Sequence, residues 1–187
     1  MASILPMDEL NRLDSEIRER FGKNTLQKRD KREEEDIIDE LLDLFLLAYA
    51  MGNSVTNENL SSSYAPSVDD VMKVVDAKVA GKTWRERVED YFSNGGTGAD
   101  LARIADTETH RIANQAAYET AKKAGATEKT WHCMMLPTSR DTHIYLDGVT
   151  APIDGEFYSF KGGSTQFPGQ WGIAEEDVNC LCWLSFS

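Results

Sequence analysis

Three histidines and three cysteines are the residues of this chain best suited to chemistry, and five of the six lie between Trp131 and Cys182. They fall in the runs WHCMML, SRDTHIYLDG and EEDVNCLCW, with a loop rich in glycine and aromatic residues before the last. Residues two apart on an extended segment face the same way, so Cys180 and Cys182 can aim both sulfurs at one point. Together with His143 they make three ligands of a zinc site, and His132, Asp141 or Cys133 can supply the fourth. The spacing weighs against zinc, because knuckle cysteines are usually separated by two to four residues and no second Cys-x-x-Cys is present. The same residues admit a Cys–His nucleophile, a thiolate beside an imidazole steadied by a carboxylate such as Asp141 or Glu108. Small buried thiols packed on a strand are the plain alternative. The preferred reading assigns no metal, no cofactor and no catalytic residue.

A structural role suits the polar residues better. Glu108 lies one turn from Ile104 and one turn from Ile112 on an apolar helical stripe, and a carboxylate placed inward needs a cation or several donors. Arg140 is the only arginine after Arg111, which makes it the expected partner. Glu108, Arg140, Asp141 and His143 are therefore read as one polar network that holds a long helix against a small sheet. If Glu108 instead sits at the stripe's edge, it reaches water and the network dissolves.

The elements that must position these residues follow from periodicity and caps. Leu10, Leu13, Ile17 and Phe21 predict an amphipathic helix over 7–21. A second helix is predicted from near Asp30, with Glu33 as the reciprocal cap residue, to a stop at Gly52. Its apolar face includes Ile38, Leu41, Phe45 and Tyr49, and is read as a candidate interaction surface. Packing of the same face on its own domain is the alternative. Residues 53–67 lack periodicity and predict a loop and the main boundary, giving a helical extension over 1–60 and a second domain over 66–187. Helices are then expected from Ser67 to Gly81, from Thr83 with Glu86 as a capping box, and over 98–124 with Gly125 as the stop. Thereafter the pattern turns β-like: strands over 130–135, 157–160 and 180–186, and one helical turn opened by Thr138 and Asp141 and carrying Arg140, His143 and Ile144. The fold class is α+β, with a small antiparallel sheet packed on a central long helix.

Charge narrows the partners. The net charge is -12, and acidic residues outnumber basic ones 14 to 8 over 1–60, 10 to 9 over 61–126 and 8 to 3 over 127–187. Such a field repels nucleic acid, so strong direct DNA binding is not expected. The apolar run Leu41 to Met51 is broken by Asp43 and is far short of the roughly 20 residues that span a bilayer. No membrane partner is expected, and the opening MASILPMDEL does not read as a secretory signal.

The segment IADTETHRIANQAAYETAKKAGATEKTW, the segment TSRDTHIYLDG and the Asn179-Cys180-Leu181-Cys182 ending come in an order and spacing that resemble the Mu F-like family of tailed-phage minor head, or head morphogenesis, proteins. The resemblance covers about Leu101 to Trp183. Leu181 and Asp106 stand where the family often has arginine. The resemblance implies a low-copy, non-enzymatic virion protein that works with the portal and other capsid components, possesses a helical N-terminal part, and acts in head assembly or genome delivery. A homo-oligomer around the portal is a further arrangement that it implies.

Overall fold

The computed structural model describes residues 12, 15–19 and 31–187. Residues 15–19 are helical and bury Ile17. The rest of the helix expected over 7–21, with Leu10, Leu13 and Phe21, lies outside the described residues, as does Asp30.

Four helices come first: α1 (Lys31–Asn59), α2 (Val68–Val75), α3 (Trp84–Ser93) and α4 (Gly98–Ala124). Gly52 does not stop α1. A Cβ at that position would lie 2.2 Å from the carbonyl oxygen of Ala113, so the glycine is there to let α1 and α4 approach backbone to backbone. The helix runs on to Asn59, and Asn57 then ties back the following loop, donating from Nδ2 to the Tyr64 carbonyl at 2.8 Å and accepting from the Tyr64 amide at 3.0 Å. Leu41, Phe45, Ala48 and Tyr49 are buried in the common core, with Phe45 edge-on to Trp84. The expected interaction face is therefore used up inside the molecule, and of its four residues only Ile38 keeps partial exposure. Its outward side is acidic instead, with Glu33, Glu35, Asp36, Asp39 and Asp43 exposed.

Local caps set the other helix starts. Ser67 with Asp70, Thr83 with Glu86 and Thr97 with Asp100 each form a reciprocal capping box, which satisfies two otherwise orphaned amides per helix. Gly125, at φ 86°, closes α4 in the left-handed conformation. Helix α2 ends at Val75 rather than near Gly81, and the Val74 and Val75 carbonyls at its end accept from the Arg111 guanidinium.

The second half is a three-stranded antiparallel sheet in the order β2 (Thr150–Pro152), β1 (Glu128–His132), β5 (Trp183–Phe186). A two-stranded ribbon pairs β3 (Phe157–Tyr158) with β4 (Ser164–Thr165). Two short helices, α5 (Asp141–Leu146) and α6 (Ala174–Asp177), complete the fold. Helix α5 starts at Asp141 with Arg140 as N-cap and no side-chain cap, so Thr138 does not open it. Asn114 of α4 donates to the Cys182 carbonyl at 3.0 Å and to the His110 carbonyl at 3.0 Å, which docks the end of the chain on the long helix. The α+β class and the antiparallel sheet on the central helix stand as expected from sequence. Among the described residues, no helix is long and apolar enough to cross a membrane.

Candidate functional site

Two buried polar clusters lie on or beside α4, and of the four residues of the expected network Glu108 falls in one, His143 and Arg140 in or beside the other, and Asp141 in neither. Glu108 is 2% exposed, so it does point inward. Its partners are Arg111, whose Nε lies 2.6 Å from Oε2, and Arg87, which pairs with Oε1. Arg140 takes no part in this. Arg111 is one helical turn from Glu108 on the same buried face, so the nearest cation is local, whereas Arg140 belongs to a different element. The Arg111 guanidinium goes on to the carbonyls of Val74 and Val75 at 3.0 and 3.1 Å and to Gln115 Oε1 at 3.0 Å. Arg87 reaches the Val79 carbonyl. Charge is satisfied and the donors are spent on backbone carbonyls, so this cluster fixes how α2 and α3 dock on α4.

Asp106, standing where the family often has arginine, is also buried and accepts from Arg18 at 2.9 Å. That pair ties the helical stretch 15–19 to α4.

The second cluster is built from β1, α5, α6 and the segment before β5. Residues after β1 bring in Cys133, whose amide donates to Asp147 Oδ1 at 2.8 Å. Helix α5 turns Thr142 and His143 inward and leaves Asp141 exposed. The ring of His143 packs against Trp171 and meets Trp131 edge-on. Its Nδ1 faces two sulfurs, Cys180 Sγ at 3.5 Å and Cys182 Sγ at 3.4 Å. Its Nε2 lies 3.1 Å from Glu176 Oε2, in ion-pair range but off the line of a hydrogen bond. Glu176 is buried and is steadied by the Thr142 hydroxyl at 2.8 Å and the Ser159 hydroxyl at 3.4 Å. Cys133, His143, Cys180 and Cys182 line a shared cavity of about 30 Å³, with Arg140 at its edge. Arg140 itself donates to the Val178 carbonyl.

Electrostatics follow from these contacts. Cys182 shares its single proton with the neighbouring thiols, which pushes Cys133 down to about 6 and holds Cys180 well below the ordinary thiol range, with His143 adding to the effect on Cys180. Cys182 is pushed up in return by Cys133 and Cys180, as the sulfur that keeps the shared proton. Burial is the largest influence on His143 and works to lower it, but the hydrogen bond and charge of Cys180 together with the charge of Glu176 outweigh it and the net direction is up. Chemically the cluster offers soft sulfur donors and an imidazole nitrogen at one point, backed by a carboxylate. His132 is elsewhere, bonded to Ser185 Oγ at 2.7 Å and stacked on Trp183.

Glu176 and Arg87 were not singled out by sequence. The EED run preceding Asn179 was a signal for Glu176, since three consecutive acids near an inward histidine invite the question of which one turns in. Arg87 carried no comparable signal.

Residues 61–185 match the protein family described as Phage Mu protein F like protein. The chain is 32% identical to a protein named NAD(+)--arginine ADP-ribosyltransferase EFV from Enterococcus faecalis (strain ATCC 700802 / V583), over 61% of this chain and 30% of that protein. It is 29% identical to the Minor head protein GP7 of Bacillus phage SPP1, over 62% of this chain and 39% of that protein. The shared stretch is thus well under half the length of either relative. No solved structure matches the chain.

Proposed function

The chain belongs to the Phage Mu protein F like family, and on that premise we propose that it is a minor head protein of a tailed bacteriophage, seated at the portal vertex or on the capsid interior. The observation that carries this reading is the family match over 61–185 together with a relative named as a minor head protein. Its expected partners are the portal protein and other capsid components, with further copies of itself around the portal, and its work is head assembly or genome delivery. The acidic balance of 32 carboxylates against 20 bases suits a protein that accompanies packaged DNA without binding it tightly. The family match begins at residue 61, which supports treating residues 1–60 as a helical extension on the family domain over 66–187, even though α1 shares that domain's core.

A second reading comes from the relative named as an arginine ADP-ribosyltransferase, of which this chain covers 30%. The name transfers only if that protein's catalytic part lies within the shared stretch. One pair of measurements separates the two. Mass spectrometry of purified particles and procapsids should find the chain at low copy, and incubation with labelled NAD and an arginine-rich acceptor should label nothing. Absence from both particle types removes the head-protein role, and labelling establishes the enzyme.

A further inference from the structure

We propose that Cys133, His143, Cys180 and Cys182 form a structural zinc centre, a tetrahedron of three thiolates and one imidazole nitrogen with Glu176 behind the histidine. Zinc bonds of about 2.3 Å to sulfur and about 2.0–2.1 Å to nitrogen, meeting near the tetrahedral angle, place a ligand sulfur roughly 3.5 Å from a ligand nitrogen. Cys180 Sγ and Cys182 Sγ lie 3.5 and 3.4 Å from His143 Nδ1. The ligating atoms of His143, Cys180 and Cys182 all lie within 4.8 Å of one another. Cys133 lines the same cavity of about 30 Å³ but stands outside this close group, and it takes the fourth position by turning its sulfur in when the metal binds.

Ordinary thiol packing does not account for this arrangement. A neutral imidazole nitrogen has one lone pair and accepts one hydrogen, yet two sulfurs converge on Nδ1. A cation among them takes one lone pair from each ligand atom and removes the competition for Nδ1. The tautomer fits as well, because the Glu176 carboxylate 3.1 Å from Nε2 favours a proton there by its charge and so leaves Nδ1 free to ligate, although the contact lies off the hydrogen-bond line that usually supports a zinc-bound histidine. Binding takes up Zn²⁺ and releases three thiol protons to solvent, leaving three thiolates, one neutral imidazole and a net charge of minus one. Arg140, at the cavity edge, faces that charge.

Four protein ligands leave no open coordination position, which suits a structural site and excludes substrate from the metal. All four ligands and Glu176 are between 2% and 6% exposed. The centre would cross-link the end of β1, helix α5 and the segment before β5, three elements only four to six residues long. It does not rest on the head-protein role, and the two can fail separately.

The test uses the full chain purified under reducing conditions. Elemental analysis should find about one zinc per chain, and cobalt substitution should give a thiolate-to-cobalt charge-transfer band with the visible bands of a tetrahedral ion. Cys182→Ser and His143→Ala should lose the metal. Should those variants fail to fold, Glu176→Gln keeps every ligand and should bind zinc about 10–100-fold more weakly. Absence of zinc after reconstitution with zinc chloride, with all three thiols still reacting at full rate, overturns the proposal. So does a disulfide among the cysteines of the purified chain, or unchanged zinc affinity in Glu176→Gln and Cys182→Ser.

Discussion

Glu108 and His143 are equally withdrawn from water, each 2% exposed, but their surroundings differ in kind. Glu108 is enclosed by two guanidiniums whose remaining hydrogens end on the carbonyls of Val74, Val75 and Val79. His143 faces two sulfurs with one ring nitrogen and leaves the other off-line from Glu176. A cluster whose charges and donors close on themselves requires nothing from outside. One in which two thiols converge on a single nitrogen lone pair leaves a hydrogen without an acceptor there, and a cation in place of the thiol protons resolves it. Both tie distant segments together, the first by electrostatics within the helical half and the second, with zinc, by coordination within the sheet half.

The largest effect expected from this contrast is on Glu108. Glu108→Gln leaves Arg111 buried at 1% exposure without its counter-charge and should cost about 3 kcal/mol in urea unfolding. Combining it with Arg111→Met should cost clearly less than the sum, with a coupling above about 1 kcal/mol. Strict additivity would mean that the cluster is not a unit.

Lys129 sharpens the comparison as a buried cation with no carboxylate in ion-pair range among the described residues, Asp154 and Glu156 acting on it only through their charge. It is fully buried, its Nζ has no hydrogen-bond partner and lies 4.6 Å from the Tyr118 ring centre, and burial pushes it down to about 8. The folded value is the depressed one, so the unfolded chain binds the extra proton. The resulting penalty is complete below about pH 8 and fades as pH rises toward the ordinary lysine value of 10.5. Lys129→Met should therefore raise stability by about 2 kcal/mol at pH 7, with the gain shrinking between pH 8 and pH 10.5. A gain that is flat across this range, read from thermal unfolding at several pH values, would show that the fold holds the Lys129 proton as firmly as the unfolded chain does and that burial does not depress it.

The smallest effect expected is an absence of coupling. Arg140 donates to the Val178 carbonyl while Glu108 is held by Arg87 and Arg111, so Glu108→Gln and Arg140→Met should add to within about 0.5 kcal/mol. A coupling as large as that of the Arg111 pair would rejoin the two clusters.

Sequence alone determined whatever depends on neighbours within one or two turns. The capping box at Thr83 and Glu86, the span of α4 from Gly98 to Ala124 and its stop at Gly125 were readable because the atoms that make them are three or four residues apart. The inward aim of Glu108 was readable for the same reason, from Ile104 and Ile112. The segments carrying His143, Cys180 and Cys182 were recognisable as the chemical part of the chain, although β2, β4 and α6 were too short to show a period. Tertiary structure alone decided the partners. It sent Arg87 and not Arg140 to Glu108, turned Glu176 rather than Asp141 toward His143, and hid Leu41, Phe45 and Tyr49 against α4. It also made Gly52 a contact with Ala113 where composition suggested an end. Long-range pairing depends on which surfaces happen to meet once the helices pack, and a linear pattern of residue types carries a group's need for a partner but not the partner's address.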